Sequence, residues 1–275
     1  MRIRGTNQKS RNSGATVAQG RARSAISWEP MRVLRLAAVL AMALALLGCS
    51  KSYRYKLTLA VNTPDGVKRA SSVGEVSFQE AFFPERGTFS HLRGEALYLD
   101  LGSGAKPLIA LLTNRIRGYY GWSRSAGPRL ELLSDLYNVV PSADYMDTVS
   151  KIAKQRGPHK IEPNQLPDVI TFADVNDPRS VILVDPDNLR ATLGPSFTWD
   201  EITVEVTDEP VSTGIEQKLP WIPYYVCGEL DGDHGRRPAT LASRLTTADF
   251  RLGTSSEKSA NSCYPGPREW QQRLR

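Results

Sequence analysis

Between Tyr53 and Val61 polar and apolar side chains alternate strictly, with Tyr53, Tyr55, Leu57, Leu59 and Val61 on one side. A period of two is that of a half-buried strand. Thr63-Pro-Asp-Gly66 supplies a proline for a fixed φ and a glycine for a positive one, and Val67 to Phe78 returns with Val73, Val76 and Phe78 apolar. A hairpin is expected. A second one is expected where Leu97, Leu99 and Leu101 alternate, Gly102-Ser-Gly104 turns, and Pro107 to Thr113 runs through Leu-Ile-Ala-Leu-Leu. From Pro128 the period lengthens. Leu130, Leu133, Leu136, Tyr137 and Val140 fall at helical spacing, and a second helix is expected within Ser142 to Arg156, with Ser142 as its N-cap. Pro141 separates the two. A Pro-rich loop then runs to Pro167, and short strands are expected at Val169 to Phe172, Ser180 to Val184 and Ile202 to Val206. Asp185-Pro186 reads as an N-cap followed by proline at the first helical position, opening a short helix to Leu193. The expected class is α+β: an antiparallel, hairpin-built sheet with a few short helices and a loop-rich C-terminal tail.

One stretch follows neither period. Leu36 to Leu47 are twelve uninterrupted apolar residues behind Arg32 and Arg35, ending in Leu46-Leu47-Gly48-Cys49. A helix of that length rises about 18 Å, short of a bilayer core of about 30 Å. A cleaved export signal fits better than a spanning helix. The combination of a short basic segment, an Ala/Leu-rich apolar run and Leu-Leu-Gly-Cys resembles the lipobox signal of bacterial lipoproteins. That resemblance implies removal of the segment before Cys49 and diacylglyceryl and palmitate-type acyl chains on Cys49. The chain would then be tethered to a membrane, facing the periplasm, through the lipid on Cys49. Ser50 after the cysteine implies the outer membrane rather than the inner one. Residues 1–30 precede this signal awkwardly, and Met31 is the expected start of translation. The expected organisation is an upstream extension over 1–30, a signal over 31–48, a tether over 49–52, an α+β domain over 53–226 and a basic tail over 227–275.

Within the expected domain, Tyr55-Lys-Leu-Thr58 with Thr63-Pro-Asp-Gly66, Thr171-Phe-Ala-Asp174 with Asp177-Pro178, and Val184-Asp-Pro186 resemble segments of an uncharacterised family of bacterial hypothetical proteins. Ile202 to Asp208 with Glu209-Pro-Val211 and Gly214-Ile215 extends that resemblance, which spans 53–222. It implies domain limits and no activity.

Composition changes the picture mainly through charge. The 275 residues carry a net +6, but residues 1–48 hold +7 and the stretch from Arg236 onward +5, leaving −6 over 49–235. A basic balance confined to the ends is not the footprint of a nucleic-acid-binding domain. Cys227 and Cys263 are the cysteines left after lipidation of Cys49. In an oxidising compartment they would pair as a disulfide, closing a loop worth about 3–4 kcal/mol, with two free thiols in a loose tail as the alternative.

Signals for catalysis are weak. His91 and His159 sit in segments that read as solvent-facing. Asp231-Gly-Asp233-His234-Gly235 could hold a divalent cation, but it lacks the acidic twelfth position of a calcium loop and reads as a polar turn. No nucleophile elbow, glycine-rich phosphate loop, zinc helix or paired Cys-x-x-Cys is present, and no cofactor is implied. Asp168, Asp174, Asp177, Asp185 and Asp187 crowd the middle of the chain. They suit turns and caps, and the alternative is acid–base catalysis by a pair of them, as in a tethered hydrolase of envelope polymers. Tyr119, Tyr120 and Trp122, and again Trp221, Tyr224 and Tyr225, gather beside Gly and Pro. They are either lids on the core or the lining of a groove for an envelope protein or glycan, and they form the candidate binding surface. The expected function is a membrane-tethered envelope lipoprotein, a binding or structural module rather than an enzyme.

Overall fold

The computed structural model describes residues 50–80, 87–102, 104–118, 121–123, 127–224, 229–232 and 240–254. Strand β1 (Ser50–Thr63) pairs along its whole length with β2 (Gly66–Glu80), from Ser50 opposite Gln79 to Thr63 opposite Gly66. The expected turn closes it. Thr63 Oγ1 donates to the Gly66 carbonyl at 2.7 Å and accepts the Asp65 amide, and Gly66 takes φ +97°. The strand absorbs residues 50–52, which the sequence reads as a tether. Tyr55 lies across Gly74, its partner in register, where an added Cβ would meet the ring at 2.6 Å.

β3 (Thr88–Glu95), a strand the alternation did not reveal, continues the sheet beyond β2, and β9 (Thr198–Thr207) flanks β1 on the other side. Two-residue strands, β10 (Arg251–Leu252) and β6 (His159–Lys160), complete the order β10-β3-β2-β1-β9-β6. The chain leaves this sheet at Ala96 and enters a second, β4-β5-β7-β8, made of Leu97–Leu99, Leu108–Ala110, Val169–Phe172 and Val181–Leu183. Every strand pair in both sheets is antiparallel. The result is sheet-rich and broadly α+β.

Among the described residues three short helices accompany the sheets: α1 (Leu130–Tyr137), α2 (Tyr145–Ile152) and α3 (Leu189–Leu193). α2 is capped by Asp144, whose carboxylate accepts the Met146 amide at 2.9 Å, and not by Ser142, whose amide donates to Thr148 Oγ1. Nor does Asp185 cap α3. Its carboxylate and carbonyl accept the amides of Asp187 and Asn188 in a tight turn, and the helix starts only at Leu189, its first buried apolar residue.

Two apolar cores result, one on each face of the second sheet. The first lies between the sheets and unites Tyr53, Tyr55, Leu57, Leu59 and Val61 of β1 with Leu97, Leu99 and Leu108, and with Leu133, Val149 and Ile152 of the helices. The second unites Ile109, Ile170 and Phe172 with Trp221, Leu230, Leu245 and Phe250. Ala110 opposite Val169 faces the first core and Ile109 opposite Ile170 the second. A sheet buried on both faces needs no alternation, which is why the β5 segment is apolar throughout. The expected loose tail is therefore corrected in part. Within 229–254, Leu230, Leu245 and Phe250 are fully buried and β10 pairs with β3. Their contribution comes from turns, and turns leave no period in the sequence.

The outer face of the first sheet is polar. Arg54 and Arg93 flank Glu75, Lys56 reaches Glu205 at 2.7 Å, and Arg69 reaches Glu201 at 2.7 Å. Residues 208–214 cross this face as a strap. Arg54 donates to the Asp208 and Glu209 carbonyls, Lys56 pairs with Glu209, and Ser212 exchanges two hydrogen bonds with the Val73 backbone. The strap then delivers Ile215 to Glu95 and the second core.

Candidate functional site

The most elaborately fixed loop leaves β5 at Leu111 and runs through Thr113-Asn-Arg-Ile-Arg-Gly118. Its polar groups are held from beneath by two fully buried aspartates, Asp168 and Asp249. Asp168 stands just before β7, and its carboxylate accepts the amides of Ile116 at 2.6 Å and Arg117 at 3.0 Å. Burial raises its pKa above the ordinary carboxylate range, and those two amides act in the opposite sense. Asp249 accepts Thr113 Oγ1 at 2.7 Å on one oxygen, and the Thr246 amide and hydroxyl on the other. Arg115 approaches Asp249 at 3.5 Å with its side chain nearly half exposed. Asn114 Oδ1 accepts the Gly118 amide at 3.0 Å and closes the turn.

The far side of the loop is fixed as firmly. Trp122 donates from Nε1 to the Leu112 carbonyl at 3.0 Å and meets Tyr55 edge-on at 5.5 Å between centroids. Gly121 passes so close to Gln165 that an added Cβ would sit 2.3 Å from its carbonyl oxygen. The loop thus sits on a firmly held base, with cationic Arg115 at its rim.

The predicted site residues distribute unevenly around this base. Trp122 and Trp221 are not surface residues: each is buried, Trp122 in the first core and Trp221 in the second, where its Nε1 donates to the Val175 carbonyl. Of the two roles open to these tryptophans, packing against the core fits their burial, and the second sheet lies between their cores. Tyr224 ends a short 3-10 turn, Ile222–Tyr224. Tyr119, Tyr120, Tyr225, Cys49, Cys227, Cys263, Asp233 and His234 lie outside the described residues. His91 is exposed on β3, whereas His159, expected to face solvent, is half-buried with its ring edge-on to Tyr137 at 4.3 Å.

The aspartates of the middle region do not converge. Asp174 accepts the Asn176 amide, Asp177 accepts the Arg179 amide and side chain, and Asp185 closes its own turn. Asp168 is the exception, and it serves the loop after β5. Its partner in that task, Asp249, stands in no apolar period of the sequence. The spacing Thr246-Thr-Ala-Asp249, a capping box around a single turn, was the available signal. Among the described residues no group of three or more His, Cys, Asp or Glu side chains is placed to hold a metal ion. No helix among them is long and apolar enough to cross a membrane.

No family model, curated protein or solved structure matches the chain.

Proposed function

We propose that this chain is an envelope lipoprotein, held to the membrane by acyl chains on Cys49 and facing the periplasm. Its α+β domain acts there as a binding or structural module. The observation that carries the reading is the sequence Leu36 to Cys49, an apolar run too short to span a bilayer that ends in Leu-Leu-Gly-Cys. Two or three acyl chains at about 0.8 kcal/mol per buried methylene give durable anchoring without a spanning helix. Ser50 favours the outer membrane. The loop after β5 is the proposed recognition element, with Arg115 at its rim and Tyr119 and Tyr120 next in sequence, suited to an envelope protein or an acidic glycan. A module is favoured over a hydrolase because Asp168, Asp174, Asp177 and Asp185 each satisfy backbone amides of their own or neighbouring turns.

The test compares the full gene with Cys49→Ser after labelling with a palmitate precursor and fractionation. The reading requires label and membrane recovery in the wild type and the loss of both in the variant. An unlabelled, soluble wild type would refute it.

A further inference from the structure

Ser50 is both the residue bonded to Cys49 and the first residue of β1, so no linker separates the proposed anchor from the folded sheet. One extended residue spans about 3.3–3.6 Å. The end of the sheet that contains Ser50 is thereby confined to the bilayer surface, and what that end exposes becomes informative. In register, Ser50 lies opposite Gln79 of β2, and Gln79 opposite Phe89 of β3. Phe89 is 48% exposed. It shares the outer face of the sheet with Ser50, since Lys51, Phe78 and Ser90 form the next row and Phe78 points into the first core. On the inner side of the same end, Tyr145 at the start of α2 meets Phe78 edge-on at 5.4 Å and is itself 42% exposed. The segment leading into Tyr145 carries Val140, 80% exposed. Among the described residues one other large apolar side chain is exposed, Val67, at 51%, and it sits beside the β1–β2 turn at the opposite end of the strands.

We propose that the Ser50 end of the first sheet is a membrane-contacting edge. In this arrangement Phe89 and Tyr145, one from each side of the sheet, rest at the headgroup level of the bilayer that holds the Cys49 lipid. Aromatic side chains are favoured at that depth. The β1–β2 turn would then point away from the membrane. The inference rests on the lipoprotein reading and adds to it an orientation that lipidation alone does not dictate, because acyl chains would anchor an upright or a tilted domain equally well.

Site-directed spin labels separate the two claims. Phe89→Cys and Val67→Cys, each in a Cys227→Ser/Cys263→Ser background, place a label at positions already exposed, and unchanged unfolding midpoints confirm the fold. The lipidated full chain is reconstituted into vesicles of phosphatidylethanolamine and phosphatidylglycerol. Water-soluble nickel complex and lipid-soluble oxygen then report on each label. The proposal requires loss of nickel accessibility and gain of oxygen accessibility at 89, no such change at 67, and return of 89 to full nickel accessibility in the unlipidated Cys49→Ser protein. Equal nickel accessibility at 89 and 67 in lipidated protein overturns the orientation and leaves the lipoprotein reading standing. A chain that takes up no palmitate overturns both.

Discussion

The core between the two sheets is closed by long strands and helices, whereas the core on the other face of the second sheet is closed by turns. The difference lies in how backbone polar groups are satisfied once water is gone. In the first core, β1 gives its amides and carbonyls to β2 and β9 along its length. In the second, irregular chain is admitted because buried acceptors stand in for missing ladder partners. Glu95 accepts the Ile215 amide and the Thr254 hydroxyl, Asp168 accepts two amides of the loop after β5, and Asp249 accepts the Thr246 amide and two hydroxyls. The Phe250 carbonyl receives the Ala96 amide and the Asp249 carbonyl that of Leu112, which stitches the C-terminal segment to the junction of the sheets. Three buried carboxylates thus perform for the second core what strand pairing performs for the first.

If that equivalence holds, the second core is as integral as the first. Trp122→Ala and Trp221→Ala should each cost about 3–5 kcal/mol, and each should shift one cooperative denaturant transition followed by fluorescence and circular dichroism. A cover that was merely attached would instead lose a separate, early transition with Trp221→Ala. Asp249→Ala should come next, at about 2–4 kcal/mol in the same assay, since it strands the Thr246 amide and the Thr113 hydroxyl in the interior.

Acid titration sharpens the comparison further. Burial raises the Asp168 pKa in the folded chain, so its ionised form opposes folding above that value and the opposition fades as pH falls through it. Between pH 7 and about 4 the stability of the wild type should therefore improve relative to Asp168→Asn, as read from paired chemical denaturation curves. A wild type that loses stability relative to Asp168→Asn on acidification would contradict the burial argument. The smallest effect belongs to the outer face, where Arg69→Ala breaks the exposed pair with Glu201 and should cost less than about 1 kcal/mol, shrinking with added salt.

The same contrast explains what could be read in advance. The β1–β2 hairpin was legible because one face packs on the core while the other carries Arg54, Lys56 and Thr58, so the pattern alternates, and Thr63-Pro-Asp-Gly66 had the chemistry of its turn. The helices either side of Pro141 were legible from Leu130, Leu133, Val149 and Ile152. β3 was not, because Thr88 to His91 are exposed, its Phe89 included, and Gly94 interrupts its end, leaving Leu92 as its one buried large apolar side chain. The second core was illegible for a different reason. Trp221, Leu230, Leu245 and Phe250 are scattered at intervals set by turns, and their aromatic and aliphatic character read equally well as a surface. Of the candidate site, Trp122 reads as part of an aromatic cluster, but its packing on Tyr55 and the pairing of Thr113 with Asp249, 136 residues apart, are long-range contacts that leave no local pattern.

The proposed role of the whole depends on one covalent event at Cys49, and mass spectrometry of the protein extracted from membranes tests it directly. The account predicts a mature chain whose first residue is Cys49, heavier than its sequence by a diacylglyceryl group and, where the new amine is modified, by a further acyl chain. A membrane-extracted chain that keeps residues before Cys49 with an unmodified thiol would contradict it.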